Sequence, residues 1–421
     1  MAAESAIYKR TVFPNGLKVI TEAIPHVRSV SLGLWLNVGS RDETESSLGV
    51  SHFIEHMVFK GTKSRDASQI ASYLESVGGV INAFTSREET CFYAKFLDEH
   101  LPMAVELLFD LINNPLLDQK EIEKEKRVVL EEIKDIEDSP SDLVHDKFAK
   151  AIFGDHPLGW PIQGTRTTVK GLSRAVVTSH INRFYRPDRM VVAASGNLDH
   201  ARLKQLVSKN YNAGGSKSGA DGRKIPIFKP VRKIFKRKPS QTHVCLGLPA
   251  RDFNDPSRVP LLLLNSLLGG GMSSRLFQRV RENLGYAYNV FSYLDYFQDT
   301  GIFGIYLGAD KKNAKRAISA VMGEMDRICN EKLSADDLSR IKEQLKGNLM
   351  LGLENTSNRM NRLAKHEFLT GRYISLDETV ASINAVKADD ITDIAREIFV
   401  KDRFSAVTMG PVDKNIYEAL E

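Results

Sequence analysis

Val30-Ser-Leu-Gly-Leu34 in the first half of the chain recurs as Val244-Cys-Leu-Gly-Leu248 in the second half. Leu117-Asp-Gln-Lys-Glu-Ile122 and Leu333-Ser-Ala-Asp-Asp-Leu338 form a second pair, at nearly the same offset within each half. Short matches can arise by chance, but two pairs in the same order predict an internal repeat, which decides the fold of the whole chain. We therefore expect two domains that share one architecture.

A Gly/Ser-rich stretch separates the two halves. Residues 211–223 read Tyr-Asn-Ala-Gly-Gly-Ser-Lys-Ser-Gly-Ala-Asp-Gly-Arg, a composition that is typical of a flexible linker. A chain of 421 residues is also too long for one compact core. We predict an N-terminal domain over 1–210, a linker over 211–223 and a C-terminal domain over 224–421.

Each half begins with strand signals and continues with long helices. Alternation over residues 11–20, with Asn15-Gly16 at its centre, predicts a tight hairpin. Helical periodicity is strong over residues 101–112 and 120–136. Strands followed by runs of helices favour an α+β fold, here two homologous α/β sandwich domains in which helices cover a mostly antiparallel sheet.

The bulk composition excludes several classes of protein. With 42% hydrophobic and 26% charged residues and a net charge of +5, the chain is an ordinary globular protein with no case for nucleic-acid binding. The basic stretch 224–238 alternates with apolar residues, which is typical of an exposed strand. No long apolar run predicts a membrane span, and the first ten residues lack a secretory signal. We expect a cytoplasmic protein, whose three cysteines form no disulfide framework.

The sequence His52-Phe-Ile-Glu55-His56 has the spacing of a metal-binding helix. Side chains four residues apart project from one helix face, so the two imidazoles can bind one Zn²⁺ ion. Glu55 stands beside them, where a carboxylate can accept a proton from a water that the metal acidifies. A helix with two incidental histidines is the alternative, and a third ligand is needed to decide between them.

The third ligand is predicted from the helix over residues 120–136. On a helix, Glu125, Val129, Glu132 and Ile136 share one partly apolar stripe that faces inward. The polar side of that helix carries Lys124, Arg127, Glu131 and Asp135. A buried acid is costly unless it is paired or bound to metal, so we predict Glu132 as the third ligand and Glu125 as a supporting carboxylate.

This pattern, His-x-x-Glu-His followed by Glu-x6-Glu, resembles the inverted zincins, the family of pitrilysin, insulin-degrading enzyme and the mitochondrial processing peptidase. Residues 49–62, Gly-Val-Ser-His-Phe-Ile-Glu-His-Met-Val-Phe-Lys-Gly-Thr, look most like the processing-peptidase β-subunit and its bacterial single-chain relatives. The resemblance covers almost the whole chain. It implies one Zn²⁺ per chain, ligands His52, His56 and Glu132, and Glu55 as general base.

The resemblance also implies residues that bind substrate. Arg281 and Tyr288 stand at the spacing of the family's Arg–Tyr pair, which steadies the tetrahedral intermediate of peptide hydrolysis. Asn82 and Ala83 fall where relatives present a sheet edge to an extended peptide. The second half keeps the repeat without the ligands, since Asn348 stands about where Glu132 would recur.

Short relatives pair two chains, so the resemblance predicts a homodimer whose active sites are completed in trans. The leading prediction is a zinc metalloendopeptidase that cleaves peptides or unfolded segments in a dimeric chamber. The alternatives are a catalytically weak peptide-binding chamber and a structural subunit like the respiratory core proteins. Acidic residues at 42–45 and 88–89 could favour basic peptides or could be solvated surface, and the sequence leaves both open.

Overall fold

The computed structural model describes residues 7–211, 222–238 and 241–420 of the chain. The strands, numbered in chain order, are β1 Ile7–Val12, β2 Lys18–Ala23, β3 Ser29–Leu36, β4 Val80–Thr85, β5 Thr90–Leu97, β6 Met190–Gly196, β7 Arg232–Phe235, β8 Thr242–Ala250, β9 Asn289–Tyr296, β10 Gly301–Ala309 and β11 Ser405–Met409. The α-helices are α1 Val50–Met57, α2 Ala67–Glu75, α3 Leu101–Asn113, α4 Gln119–Asp138, α5 Pro140–Phe153, α6 Arg166–Gly171, α7 Arg174–Phe184, α8 His200–Asn210, α9 Arg258–Gly269, α10 Lys311–Asn330, α11 Ala335–Gly352, α12 Thr356–Leu369, α13 Leu376–Ala385 and α14 Ala388–Ile398. A π-helical segment covers Phe277–Asn283.

The first compact unit contains residues up to 133 together with 161–223 and 351–373. Its six-stranded sheet has the order β1-β2-β6-β3-β5-β4, and only β2 and β6 pair in parallel. Helices α1 and α3 pack with one face of this sheet in the main core. Helix α12 covers the other face, where Met360 and Leu363 pack in one cluster with Trp35.

The second unit contains residues 134–160, 224–350 and 374–420, and its five-stranded sheet repeats the first sheet without a counterpart of β1. The strand order is β7-β11-β8-β10-β9, with β7 and β11 parallel and all other pairs antiparallel. Strands β3 and β8, which carry the recurring pentapeptides, take the same central place in their sheets. The second recurring pair lies at the start of α4 and of α11. The predicted duplication and the two-sandwich fold are therefore confirmed.

The single boundary predicted at 211–223 needs correction. Residues 134–160, which include α5, belong to the second unit, and residues 351–373, which include α12, belong to the first. Helix α5 buries Val144 and Phe148 in one cluster with Cys245 and Val407 of β8 and β11. Hydrophobic burial drives this arrangement, because each sheet needs a helix on its second face. Most of the predicted linker, residues 212–221, lies outside the described residues.

Local predictions agree with the structure in most places. Strands β1 and β2 form the expected hairpin, and Gly16 at its turn has a φ of +93°. Helices α3 and α4 cover the stretches with strong helical periodicity. The basic stretch 224–238 differs from the prediction, since only Arg232–Phe235 forms a strand within it. Among the described residues, no helix combines the length and the apolar character that crossing a membrane requires.

Candidate metal centre

Helix α1 carries the paired histidines, and the local sequence explains its limits. Gly49 precedes the helix with a φ of +87°, and Gly61 ends the 3₁₀ turn that follows it with a φ of +138°. Phe53, Ile54 and Met57 are fully buried in the core of the first unit. Their spacing leaves the two histidines and Glu55 on the opposite, partly exposed face of the helix.

The structure brings the three predicted ligands together in the first unit. His52 Nε2 lies 3.9 Å from Glu132 Oε2, and His56 Nε2 lies 3.7 Å from Glu132 Oε1. One donor atom from each residue lies within 4.8 Å of the other two. Donors 2.0–2.1 Å from a tetrahedral zinc ion are separated by about 3.4 Å, so small side-chain movements would close this set around one ion. Among the described residues, this is the one group of three or more acids, histidines or cysteines with such geometry.

Glu125 lies behind His56 instead of facing the ligand set. Its Oε1 atom is 2.8 Å from His56 Nδ1, and its Oε2 atom is 2.7 Å from Lys60 Nζ. Glu125 is buried at 4% exposure, whereas the Glu132 side chain is 39% exposed. The inward stripe of α4 therefore carries both acids in different settings, a buried carboxylate that orients a ligand and an accessible carboxylate that can be one.

Glu55 points toward the end of strand β4. Its Oε2 atom accepts a hydrogen bond of 2.6 Å from the hydroxyl of Thr85. Burial raises the pKa of Glu55, and the hydrogen bond from Thr85 opposes that shift. A carboxylate whose pKa is raised toward neutrality is a stronger proton acceptor than an exposed one.

The two histidines differ in protonation: the acids Glu125, Glu132 and Glu55 raise the pKa of His56 against the effect of burial, whereas His52 is held neutral. Burial lowers the pKa of His52 to about 4, so this imidazole is neutral at neutral pH and has a free lone pair. Within the described residues, the buried Nδ1 atom of His52 has no hydrogen-bond partner. The two imidazoles and one carboxylate are the donor types that zinc prefers, so the residues present fit this ion.

Arg281 and Tyr288 lie in the second unit, apart from the unit that holds the cluster. The Arg281 guanidinium stacks 4.6 Å above the Phe277 ring. Tyr288 is 57% exposed, and its hydroxyl donates to Asp310 Oδ2 at 3.1 Å. Both side chains are accessible, which is necessary for a contact with substrate, but neither belongs to the metal cluster.

Asn82 and Ala83 lie in β4, the edge strand of the first sheet. Strand β4 pairs with β5 on one side only, and Val80 at its start is 60% exposed. The Asn82 side chain accepts a hydrogen bond from the backbone N–H of Ala83. Thr85 at the end of the same strand contacts Glu55, so this edge leads to the candidate base.

Four residues that sequence reasoning did not assign to the site contact it in the structure. Lys60 and Thr85 hold Glu125 and Glu55, while Glu43 and His180 hold the first turn of α1. Lys60 stands one helical turn after His56, a spacing that could have indicated it. The other three are brought to the site by the tertiary fold.

Three of the acidic side chains at 42–45 and 88–89 bind groups within the protein. Glu43 accepts from the backbone N–H of Gly49, Asp42 pairs with Arg223, and Glu88 pairs with Arg41. These three acids therefore do not line a substrate surface.

Comparison with known proteins gives the family. The chain is 40% identical to "Uncharacterized zinc protease YmxG" of Bacillus subtilis over 94% of its own length and 96% of that protein. The chain belongs to the insulinase family, peptidase family M16. A Streptomyces coelicolor member, also named an uncharacterized zinc protease, is 40% identical over 96% of this chain and 90% of that protein. The description "Insulinase (Peptidase family M16)" matches residues 18–166.

A later part of this M16 chain matches a separate description. "Peptidase M16 inactive domain" covers residues 171–345, a stretch that contains none of the three predicted zinc ligands. A Helicobacter pylori protease structure aligns with a TM-score of 0.90 and 22% identity, covering 97% of this chain and all of that one. An M16 structure from Pseudomonas fluorescens aligns at 0.88 and 19% identity, covering 96% and 98%. At these identities the two structures support the M16 fold alone.

Proposed function

We propose that this M16 chain is a zinc metalloendopeptidase that hydrolyses peptides or unfolded protein segments. The observation that carries the proposal is the convergence of His52, His56 and Glu132 in one partly exposed cluster, with Glu55 on the same helix. The relatives named zinc proteases at 40% identity support zinc as the ion. The single ligand set among the described residues leads us to propose one ion per chain.

In the proposed reaction, His52, His56 and Glu132 would hold zinc, which supplies Lewis-acid chemistry by acidifying a water and polarising the scissile carbonyl. Glu55 accepts the proton that the attacking water loses and then donates it to the leaving amine nitrogen. Thr85 holds one oxygen of Glu55, so the other oxygen is available for this transfer. Glu125 holds His56 from behind and fixes its ring.

The substrate would bind as an added strand on β4. Its open edge runs along Asn82 and Ala83, close to Thr85 and therefore to Glu55. The Ala83 N–H would exchange the side-chain oxygen of Asn82 for a carbonyl oxygen of the substrate. Recognition through backbone groups depends little on side chains, which suits extended peptides of varied sequence.

Arg281 and Tyr288 would bind the substrate or donate to the oxyanion from a second copy of the chain. Their exposure in the second unit supports this role. A Tyr hydroxyl and a guanidinium are suitable donors to developing negative charge. In this proposal the protein is a homodimer whose chamber holds two sites, each completed in trans.

The test of the peptidase proposal uses the purified protein and an internally quenched peptide. We expect one zinc per chain, cleavage that a chelator abolishes and zinc restores, and a Glu55→Gln variant that keeps zinc and loses at least about 100-fold in kcat. The exposed Glu75→Gln variant is the control and keeps wild-type activity. Zinc and peptide binding without any cleavage by the wild type would favour the peptide-binding alternative. Absence of both would favour a structural subunit.

The trans arrangement has its own test, which mixes two inactive proteins. We expect His52→Ala chains combined with Tyr288→Phe chains to recover part of the activity, because some mixed dimers contain one intact site. Each variant alone stays inactive and serves as the control. Full specific activity of a diluted monomer would contradict the dimer proposal.

A further inference from the structure

The two histidines of the cluster are held in different ways. His56 Nδ1 contacts the Glu125 carboxylate at 2.8 Å, and Lys60 fixes that carboxylate in turn. His52 Nδ1 is buried and has no hydrogen-bond partner among the described residues. The orientation of the His52 ring therefore depends on the backbone of the first turn of α1 and on packing.

That first turn has an unusual cap. A helix normally begins with a Ser, Thr, Asp or Asn whose side chain accepts from the free N–H groups of the first turn. Gly49 cannot be replaced by such a residue, because its φ is +87° and a Cβ atom there would lie 2.4 Å from the carbonyl oxygen of Gln163. The turn needs an acceptor from elsewhere in the chain.

Glu43 supplies that acceptor. Its Oε2 atom lies 2.7 Å from the backbone nitrogen of Gly49, and its Oε1 atom lies 2.8 Å from that of Ser51. The two oxygens of one carboxyl group thus accept from two backbone N–H groups of the same turn, immediately before His52. His180 of α7 contacts the same turn through Ser51, with Nε2 3.3 Å from the hydroxyl oxygen.

Burial of the Glu43 carboxyl group costs folding free energy. Glu43 is only 6% exposed, and burial raises its pKa to about 8 against the effect of the two backbone donors. A helix that only needed an end could be capped by water at its surface, with no buried acid. The burial of Glu43 therefore points to a requirement for exact placement of the turn.

We propose that Glu43 is a positioning residue of the metal centre, which fixes the first turn of α1 and through it the ring of His52. The inference rests on the proposed zinc site and deepens it. The two ligands on α1 are held by two acids from different directions, Glu125 at the His56 side chain and Glu43 at the backbone before His52.

The experiment compares Glu43→Gln with Glu45→Gln, an exposed acid two residues further along the chain. A glutamine amide offers one acceptor oxygen, and its NH₂ group opposes the second backbone N–H. Zinc affinity is measured by competition with a chromophoric chelator. We expect Glu43→Gln to weaken zinc binding by about 10- to 100-fold, as removal of groups that orient metal ligands does, and Glu45→Gln to leave it unchanged.

Two further readouts separate positioning from simple stability. The visible spectrum of the Co²⁺-substituted protein reports ligand geometry, and we expect Glu43→Gln to change it and Glu45→Gln to preserve it. Urea unfolding of the zinc-free proteins reports stability alone. A Glu43→Gln protein that is less stable but keeps wild-type zinc affinity and the wild-type Co²⁺ spectrum would overturn the inference.

A second variant keeps the inference testable if Glu43→Gln does not fold. Glu43→Asp retains the carboxyl group but is one methylene shorter, so it can reach only one of the two N–H groups. We expect Glu43→Asp to bind zinc more weakly than the wild type, by up to about tenfold. An unchanged affinity would count against the inference. A wild-type protein that binds no zinc would overturn the zinc site itself, whereas tight wild-type binding with unaffected Glu43 variants would overturn the inference alone.

Discussion

Glu125 Oε1 lies 2.8 Å from His56 Nδ1, so a buried carboxylate binds the edge of the imidazole ring opposite the Nε2 atom that faces Glu132. Burial alone would raise the pKa of Glu125, but the hydrogen bonds from His56 and Lys60 outweigh it and hold that pKa below its usual value. The ionised carboxylate accepts the Nδ1 proton of His56. This leaves His56 Nε2, which faces Glu132, as the lone-pair donor to a metal.

The first prediction concerns this contact. We expect Glu125→Gln to weaken zinc binding by about 10- to 100-fold, because a neutral amide accepts more weakly from His56 and leaves Lys60 without its partner. Chelator competition measures the affinity. Glu123→Gln on the exposed side of α4 is the matched control and should bind zinc like the wild type. Equal affinities of the two variants would show that Glu125 does not orient the ligand.

The second prediction concerns the hydroxyl that holds Glu55. Thr85→Val keeps the shape of the side chain and removes the 2.6 Å hydrogen bond, so the carboxylate is free to rotate away from the position of the attacking water. We expect kcat to fall by about tenfold with little change in KM or zinc content, since a hydrogen bond to a charged group contributes about 1.5–3 kcal/mol.

Thr85→Ser is the control for that prediction, because it restores the hydroxyl on a smaller side chain. Its kcat should lie close to that of the wild type. If both variants lose kcat to the same extent, the methyl group of Thr85 and its packing matter, and the hydrogen bond to Glu55 does not.

Much of the site could be predicted because its spacing is local. Two histidines four residues apart on one helix must share a face, and the inward stripe of α4 separates Glu132 from the solvated Glu131. The fold was predictable for a similar reason, since the recurring pentapeptides lie in β3 and β8, the equivalent strands of the two sheets.

The remaining features depend on contacts between distant segments. An amphipathic pattern indicates which side of α5 or α12 is apolar, but both sheets offer an apolar face, so the pattern does not select the sheet that each helix covers. Glu43 likewise stands in an acidic stretch that would suit solvent. Only the tertiary fold brings its carboxylate to the N–H groups of Gly49 and Ser51.

The third prediction is a pH dependence that His180 produces. Burial lowers the pKa of His180 to about 4 in the folded protein, whereas the unfolded chain has the ordinary value of about 6.5. The unfolded state therefore binds more protons between pH 6.5 and pH 4. The corresponding stability is fully present above pH 6.5 and is lost as the pH falls toward 4, by up to about 3 kcal/mol.

Urea unfolding of the zinc-free protein at pH 8 and pH 5 measures this loss. We expect His180→Asn to be less stable than the wild type at pH 8, because it gives up packing against Phe184, but to lose less stability between the two pH values. His26→Asn on the exposed surface should show the wild-type pH dependence. Parallel losses in all three proteins would place the acid sensitivity elsewhere.

The fourth prediction tests the close approach at the start of α1. Gly49 and Gly78 both have positive φ angles, +87° and +74°, so an alanine at either position is strained by about 1–2 kcal/mol. The space around them differs. A Cβ atom on Gly49 would lie 2.4 Å from the carbonyl oxygen of Gln163, whereas nothing lies within 4 Å of one on Gly78.

We expect Gly78→Ala to lower the free energy of unfolding by the backbone strain alone. Gly49→Ala should lower it by about 2 kcal/mol more, because neither the Gly49 nor the Gln163 backbone can move aside easily. The difference between the two free energies of unfolding in urea isolates the clash, and equal losses would mean that the turn before His52 can adjust to a side chain.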